Sequence, residues 1–479
     1  MREVWKPQPK QARFMARPEY EVLYGGAAGG GKSDALLCEA LRQVHIPHYR
    51  GLILRKTYPQ LSELIDRSRE IYRAAFPRAR YNGTEHFWAF PSGAKIYFGA
   101  MQYVKDRINY QGKRYDYIAF DELTHFSWEE YSYLFSRNRP SGPGTRVYMR
   151  ASTNPGGPGH GWVKERFITV APPMTRVVEE MELPGPDGKK RKMQRDRMFV
   201  PATVYDNQEL LKNAPGYLAS LSMLPEAEKK ALLLGDWDSF TGQVFTEWRN
   251  DPAHYEDQRW THVVKPFRIP DWWRIYRGFD WGYAKPFSVG WYAVDGEGRM
   301  YRIRELYGIS ADGTPNAGAK MQVAEVAREI KRIESEDENL RGKRIFGVAD
   351  PAIFQENGGA SIGEMMEREG VYWEKGDHTR LAGKMQFHHR LAFDREGRPM
   401  LQVFSTCRHF IRTIPALVYD QRDVEDVESK VSEDHIYDEC RYVLMLNPIE
   451  AREPVKPPAV ELEDPLDLRK KPEVRFYRI

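Results

Sequence analysis

Two α/β domains in series are predicted for this chain of 479 residues, and three sets of residues predict them. "VLYGGAAGGGKSDALL" (residues 22–37) passes from a strand-like apolar run through a glycine-crowded loop into a helix-like pattern. "YDYIAFDE" (residues 115–122) is a β-rich run closed by two acids. In the second half, apolar runs end in Asp280 and Asp350, and a helical pattern carries His435 and Asp438. At this length two or three domains are expected rather than one compact core. Shifts in composition divide the chain into a nucleotide-binding domain with a C-terminal helical lid or linker subdomain (residues 1–240), a linker (241–261), a second α/β domain (262–446) and a tail (447–479). Near residue 235 the text turns from helical to aromatic and turn-rich. After Leu446 it is rich in proline and charge, with little to bury.

The loop Gly26-Ala27-Ala28-Gly29-Gly30-Gly31-Lys32-Ser33 satisfies G-x-x-x-x-G-K-[ST]. Glycines let successive backbone N–H groups turn inward around phosphates, the lysine adds a point charge, and the serine hydroxyl can ligate Mg²⁺. The context fits. A buried strand precedes the loop, and Ala35, Leu36, Ala40, Leu41 and Val44 follow at helical spacing. The partial positive charge of the helix N-terminus then adds to the site. ATP is the expected ligand, touched by Gly26, Gly29, Gly30, Gly31, Lys32 and Ser33.

Such a loop calls for a second strand that ends in an acid, and residues 115–122 provide it. Asp121 is expected to hold Mg²⁺ and Glu122 to polarise the attacking water. The run "RVYMRASTNPGG" ends in Ser152, Thr153 and Asn154, small polar groups that can sense the terminal phosphate or simply close an ordinary strand-end turn. In "KPQPKQARF", Gln8 and Gln11 precede the first strand, where an amide can read an adenine edge; a surface turn accounts equally well for Gln8. An arginine should stabilise the transferring phosphoryl group, and Arg55, Arg107 and Arg114 are the candidates.

In the second half, residues 274–308 read as three successive strands, with Asp280 closing the apolar part of the first and Asp295-Gly296-Glu297-Gly298 turning between the other two. "RIFGVADPA" is a further strand ending in Asp350, and "EDHIYDECRYVLM" sets His435 and Asp438 three residues apart on one helix face. Strands ending in Asp plus an acid on a later helix are what a ribonuclease-H-like two-metal site requires. Phosphodiester hydrolysis there needs the attacking water and the leaving oxygen each held by a cation. Hard cations such as Mg²⁺ and Mn²⁺ prefer carboxylate oxygens. His435 adds a softer ligand or a proton carrier, and Glu305, Asp434 and Glu439 complete the pool of acids.

Composition narrows the class. Hydrophobic residues make up 41% and charged residues 29%, and the net charge is +4. No apolar run approaches the ~18 residues that cross a bilayer. The start, MREVWKPQPKQ, has no apolar signal-peptide core. Cys38, Cys407 and Cys440 lie far apart, so neither a disulfide framework nor a zinc site is indicated and a reducing cytoplasm is expected. "KKRKMQRDR" (residues 189–197) suits either a solvated hairpin or contact with a phosphate backbone.

Taken in order, KPQPKQARF, GGAAGGGKS, YIAFDE, ASTNPGG, LLLGDWDSFTGQVF, GFDWG, VADP and DHIYDECRY make about residues 5–446 similar to the large terminase subunit of tailed bacteriophages. That family packages and cuts DNA. The resemblance implies a RecA/ASCE-like P-loop ATPase domain followed by a ribonuclease-H-like nuclease domain. It implies that Lys32 and Ser33 bind phosphate and Mg²⁺, that Asp121 and Glu122 are the magnesium and catalytic acids, and that Asp280, Asp350 and Asp438 bind two Mg²⁺ or Mn²⁺ ions. His435 is similar to a histidine beside the third acid in some members. The implied partners are double-stranded DNA, a portal protein, a small terminase subunit and further copies of the chain. Those copies would form a pentameric ring on a procapsid in the host cytoplasm, with a monomer possible in solution and no membrane involved. The tail resembles a portal-docking segment. In one departure, Gln111 stands before Gly112 where some members carry the arginine finger, so Arg55 or Arg107 is expected to serve. The alternative is a cellular DNA-repair helicase–nuclease, which normally has two motor domains, whereas one P-loop is present here. A P-loop kinase or switch leaves Asp280, Asp350 and Asp438 without a role.

Overall fold

The computed structural model describes residues 4–184, 190–214, 216–224, 229–238, 240, 242–356, 358–420, 423, 425–450 and 455. Most of the tail, and Lys189 of the basic run, lie outside the described residues.

The first half is built on a nine-stranded sheet. Its strands are β1 (Glu21–Gly26), β2 (Arg50–Arg55), β3 (Arg80–Asn82), β4 (Phe87–Ala89), β5 (Lys95–Ala100), β6 (Tyr117–Asp121), β7 (Tyr148–Thr153), β8 (Val177–Pro184) and β9 (Lys190–Ala202). They stand in the order β3-β4-β5-β2-β6-β7-β1-β9-β8, with parallel pairing from β5 through β9. Strands β1, β6 and β7 are buried along their whole length, which is why their text is continuously apolar rather than alternating. With β7 between the glycine-loop strand and the acidic strand, the sheet has the RecA/ASCE arrangement. Helix α1 (Pro9–Met15) precedes β1, α2 (Lys32–Ala40) leaves the glycine loop, and α3 (Tyr58–Ala75) follows β2. Ala35, Leu36, Leu37 and Ala40 on α2 enter the core.

The register settles where the strand ends meet. Gly25 stands opposite Thr153 and Asp121 opposite Ser152, so the glycine loop, the acids and the 152–154 turn share the carboxyl edge of the sheet. Ligands of open α/β sheets bind at that edge. The basic run forms strand β9 of a long hairpin. Glutamates across it take up much of its charge: Lys190 pairs with Glu182 at 2.9 Å, Lys192 with Glu180 at 3.3 Å and Arg197 with Glu179 at 2.6 Å.

The second half carries a seven-stranded sheet of β10 (Val263–Val264), β11 (Arg274–Asp280), β12 (Ser288–Val294), β13 (Met300–Tyr307), β14 (Ile345–Ala349), β15 (Glu374–Lys375) and β16 (Leu401–Phe404). The order is β10-β16-β13-β12-β11-β14-β15. Three antiparallel strands, β11 to β13, are followed by β14 and β15 parallel to β11, which is the ribonuclease-H-like layout. The Asp295 turn closes as expected, with Gly298 N donating to Asp295 O. Helices α4 (Val323–Glu336), α5 (Arg380–Leu391) and α6 (His435–Leu446) complete the layers. Gly278 on β11 lets α6 approach closely, since an added Cβ would lie 2.8 Å from the backbone oxygen of Glu439. Val244 and Phe245, within the stretch read as linker, are buried in this second core. Among the described residues no helix is long and apolar enough to cross a membrane.

Candidate functional sites

The glycine loop needs its glycines for conformation. Gly29 and Gly31 have φ of 73° and 67°, and Gly31 caps α2 in the left-handed region. Lys32 follows, nearly fully buried. Its Nζ donates to Ala27 O at 2.5 Å and to Asn154 Oδ1 at 2.7 Å. Burial lowers the Lys32 pKa, and the charges of Glu122 and Asp121 act against that shift. Asn154 thus stands against both the loop and the second acid, because its N–H also points at Glu122 Oε2, 3.4 Å away.

Asp121 is the hub of this edge. Ser33 Oγ donates to it at 3.2 Å, Ser152 Oγ donates to it, and Arg55 reaches it through Nε at 2.7 Å and Nη2 at 2.6 Å. Among the described residues Arg55 is the one of the three candidate arginines that contacts these acids; Arg107 pairs with Glu129, and Arg114 is exposed. The guanidinium occupies the carboxylate face at which a Mg²⁺ ion shared with Ser33 would sit. Hydroxyl and carboxylate oxygens are the donors that such an ion takes, so the set fits it. Glu122 has φ of 58°, left-handed for a non-glycine residue, a strain that accumulates at functional positions. Burial first and Asp121 second raise its pKa, with Lys32 and Arg55 opposing.

Gln11 braces the loop: its Nε2 donates to Gly31 O at 2.7 Å and its Oε1 accepts from Gln8 N at 2.7 Å. Both of its amide ends are therefore engaged with backbone. Gln8 sits half-buried at the N-cap of α1.

In the second half, Asp280 ends β11 and Asp350 follows β14 in the neighbouring position, with Asp350 N donating to Phe279 O at 3.0 Å. Helix α6 crosses this edge. His435 Nδ1 lies 3.1 Å from Asp280 Oδ2, and His435 Nε2 lies 3.3 Å from Asn316 Oδ1. The Asn316 amide is oriented by its Nδ2, which donates to Val431 O and Ser432 O at 3.3 Å. Both ring nitrogens therefore face acceptors, which suits a doubly protonated imidazolium. Burial pulls the His435 pKa down, but the bond to Asp280 and that residue's charge outweigh it and the value is raised. Burial pushes the Asp280 carboxyl up to about 6 against the His435 hydrogen bond. Burial and then Asp438 hold Asp434 well above the usual carboxylate range.

Asp438 is held by cations. Arg441 reaches its Oδ1 through Nη2 at 2.9 Å and Nε at 3.2 Å, and Arg380 Nη1 lies 3.5 Å from the same oxygen. Among the described residues no group of three or more His, Cys, Asp or Glu side chains is drawn together closely enough to hold a metal ion. Asp280, Asp350 and Asp438 do converge on one edge, close enough that the charges of Asp438 and Asp350 add to the burial that raises the Asp280 pKa, and carboxylates are the hard-oxygen donors that a divalent cation takes. The donor set therefore fits Mg²⁺ or Mn²⁺. The other acids separate. Asp434, buried beside Asp438, belongs to the cluster. Glu439 is fully buried on Arg302, Tyr292 and Ser288, and Glu305 accepts from the N–H groups of His409 and Phe410.

Contacts that sequence reasoning did not anticipate lie between the halves. Arg412 joins Glu165 at 2.9 Å to Glu433 at 2.8 Å, and Glu433 in turn accepts from Asn316 N at 3.2 Å. A cavity of about 450 Å³ lies along this seam, lined by Trp128, Glu165, Asn316, Arg412 and Glu433 among others. Glu433 and Asn316 lie 117 positions apart, beyond any local pattern.

Residues 23–249 match the family model described as terminase large subunit, T4likevirus-type, N-terminal. Among solved structures, the large terminase of a thermophilic bacteriophage is 16% identical over 92% of this chain and 99% of that one, with a TM-score of 0.39. The HK97 bacteriophage large terminase is 9% identical over 92% of this chain and 94% of its own, with a TM-score of 0.44. The P22 large terminase nuclease domain covers 43% of this chain and 92% of its own, at 15% identity and a TM-score of 0.32. Among curated proteins none matches the chain.

Proposed function

We propose that the chain, whose residues 23–249 match the terminase large-subunit family model, is an ATP-driven motor and a metal-dependent DNA endonuclease of phage DNA packaging. Residues 1–240 would carry the motor, 262–446 the nuclease, 241–261 the connection and 447–479 a docking tail. The motor would move double-stranded DNA through a portal into a procapsid in the host cytoplasm. It would work as a ring of copies beside a small terminase subunit, and the nuclease would cut the concatemer.

The observation that carries the motor reading is the Lys32–Asn154–Glu122 contact beside the Ser33–Asp121–Arg55 cluster, all on one carboxyl edge. Backbone N–H groups of Gly26, Gly29, Gly30 and Gly31 would cradle the phosphates of ATP, with Lys32 as the facing charge. Gln8 and Gln11 stand before the loop, where Gln11 fixes its carbonyl. Glu122, its pKa raised toward that of a working base, would take the proton of the attacking water. Arg55 would leave Asp121 when ATP and Mg²⁺ enter and turn to the transferring phosphoryl group. At the second edge Asp280, Asp350 and Asp438 would bind, with His435 orienting Asp280. When bound, Mg²⁺ at Ser33 and Asp121, and two Mg²⁺ or Mn²⁺ ions at the aspartates, supply charge stabilisation and water activation.

Lys32→Ala tests the motor. The side chain faces loop and acids rather than apolar core, so ATP turnover should vanish, measured by phosphate release, while the melting temperature changes little. Wild-type turnover in this variant would overturn the ATPase reading.

A further inference from the structure

Resting on the nuclease reading of the second half, we propose that Arg412 positions His435 through Glu433 and Asn316, and that Glu165 of the first half opposes it by competing for the same guanidinium. Glu165 is then an autoinhibitory contact. Its removal strengthens the nuclease edge from the other half of the chain.

Asn316 is the brace. It lies in the loop after β13 at φ of 56°, a strained position for a non-glycine residue, and joins that loop to the start of α6. Its N–H donates to Glu433 Oε1 at 3.2 Å and its Nδ2 to Val431 O and Ser432 O at 3.3 Å, while its Oδ1 faces His435 Nε2 at 3.3 Å. On the far side of the ring, His435 Nδ1 faces Asp280. All four Asn316 contacts are longer than the ~2.9–3.0 Å common for such bonds. The brace is assembled but slack.

Glu433 connects this brace to the first half. Its Oε2 accepts from the Tyr307 hydroxyl at 2.9 Å and from Arg412 Nη2 at 2.8 Å. Tyr307 gives a neutral bond, and Arg412 supplies the charge. A carboxylate is held most firmly by two paired donors of one guanidinium. Here the Nε and Nη2 pair is split. Arg412 Nε lies 2.9 Å from Glu165 Oε1, whereas Nη2 reaches Glu433 and also faces His409 Nδ1 at 3.2 Å. Glu165 sits on the π-helical turn Lys164–Ile168, and the next residue, Arg166, is tied to Glu21 of β1 at 2.7 Å. The competing carboxylate is therefore anchored to the first sheet. The cavity of about 450 Å³ beside Arg412 leaves its guanidinium room to turn. Without Glu165, Arg412 presents both donors to Glu433, the Asn316 contacts tighten, and His435 holds Asp280 in one orientation. Groups behind a ligand that fix its orientation raise metal affinity.

Hydrogen exchange of the full-length chain in EDTA, read by mass spectrometry, tests the brace without metal or turnover. The Glu165 side chain is 39% exposed, so its loss does not threaten the fold. Glu165→Ala should slow exchange over residues 314–318 and 430–436 several-fold, and Arg412→Gln should speed it. The double variant should match Arg412→Gln, because Glu165 acts only through Arg412. In plasmid nicking, the half-saturating Mn²⁺ concentration should fall several-fold in Glu165→Ala and rise in Arg412→Gln. ATP turnover of Glu165→Ala should stay at the wild-type rate. Opposite signs from the two ends of one ion pair separate this device from a merely structural bridge, which loosens whichever end is lost. Faster or unchanged exchange in Glu165→Ala, or a double variant unlike Arg412→Gln, would overturn the proposal. Absence of Mn²⁺-dependent nicking by the wild type would overturn the nuclease reading instead, so the two failures are distinguishable.

Discussion

At the scale of single residues, position within a cluster decides what an acid can do. Glu122 and Asp121 are adjacent, yet Asp121 is ringed by Ser33, Ser152 and Arg55 while Glu122 faces Lys32 and the Asn154 N–H. Glu122→Gln keeps the shape but cannot take a proton. It should retain ATP binding and slow hydrolysis by roughly 10²–10⁴-fold, the range for loss of a general base. Nucleotide affinity by fluorescence and turnover by phosphate release separate the two effects, and unimpaired turnover would remove Glu122 from that role. A one-residue step matters as much on α6. Consecutive helical residues point about 100° apart, so Asp438 reaches the site edge while Glu439 turns into the core.

At the scale of elements, that same turn makes Glu439 a structural residue. It and Arg302 are both fully buried and bonded to each other at 2.6 Å, fastening α6 to β12 and β13. Breaking a buried pair from one side costs about 3–5 kcal/mol. Glu439→Gln should therefore lower the urea midpoint markedly while leaving Mn²⁺ affinity intact; a metal-binding defect without destabilisation would contradict this. The strands and helices around both sites are legible in sequence because each has a local cause. Glycines are required where φ is positive, continuous apolar runs mark doubly covered strands, and acids close them. The links between elements are not legible. Arg55 meets Asp121 across 66 positions, and Asn316 meets His435 across 119. Nor does the text show that Gln11 spends both amide ends on backbone, or that the basic run faces a glutamate strand. Such pairings are set by sheet order and register, which no window of neighbouring residues contains.

At the scale of the whole molecule, two buried histidines contribute to its acid sensitivity. His160 is stacked on Phe240 at 4.0 Å and Trp237 at 5.2 Å, and burial pushes its pKa down to about 3; burial likewise takes His262 to about 4. Both titrate near 6.5 when the chain unfolds. Between these limits the unfolded chain binds more protons, so their stabilisation is complete above about pH 6.5 and is lost as pH falls toward 4 and 3. The melting temperature should drop over that window, and His160→Gln should flatten the drop; an unchanged profile would show that His160 is not the neutral core residue described.

The central claim is that two chemistries occupy separate edges of two sheets in one chain. Asp438 shares no hydrogen bond or ion pair with Lys32, Ser33, Asp121 or Glu122; its partners are Arg380 and Arg441. The direct measurement is a plasmid-nicking gel with Mn²⁺ run beside an ATP-turnover assay on full-length Asp438→Ala. Loss of nicking with ATP turnover within about twofold of wild type is predicted, since one of the three carboxylates proposed to hold the nuclease ions would be gone and the proposed motor edge untouched. Loss of both activities in a variant that melts like the wild type would contradict the account.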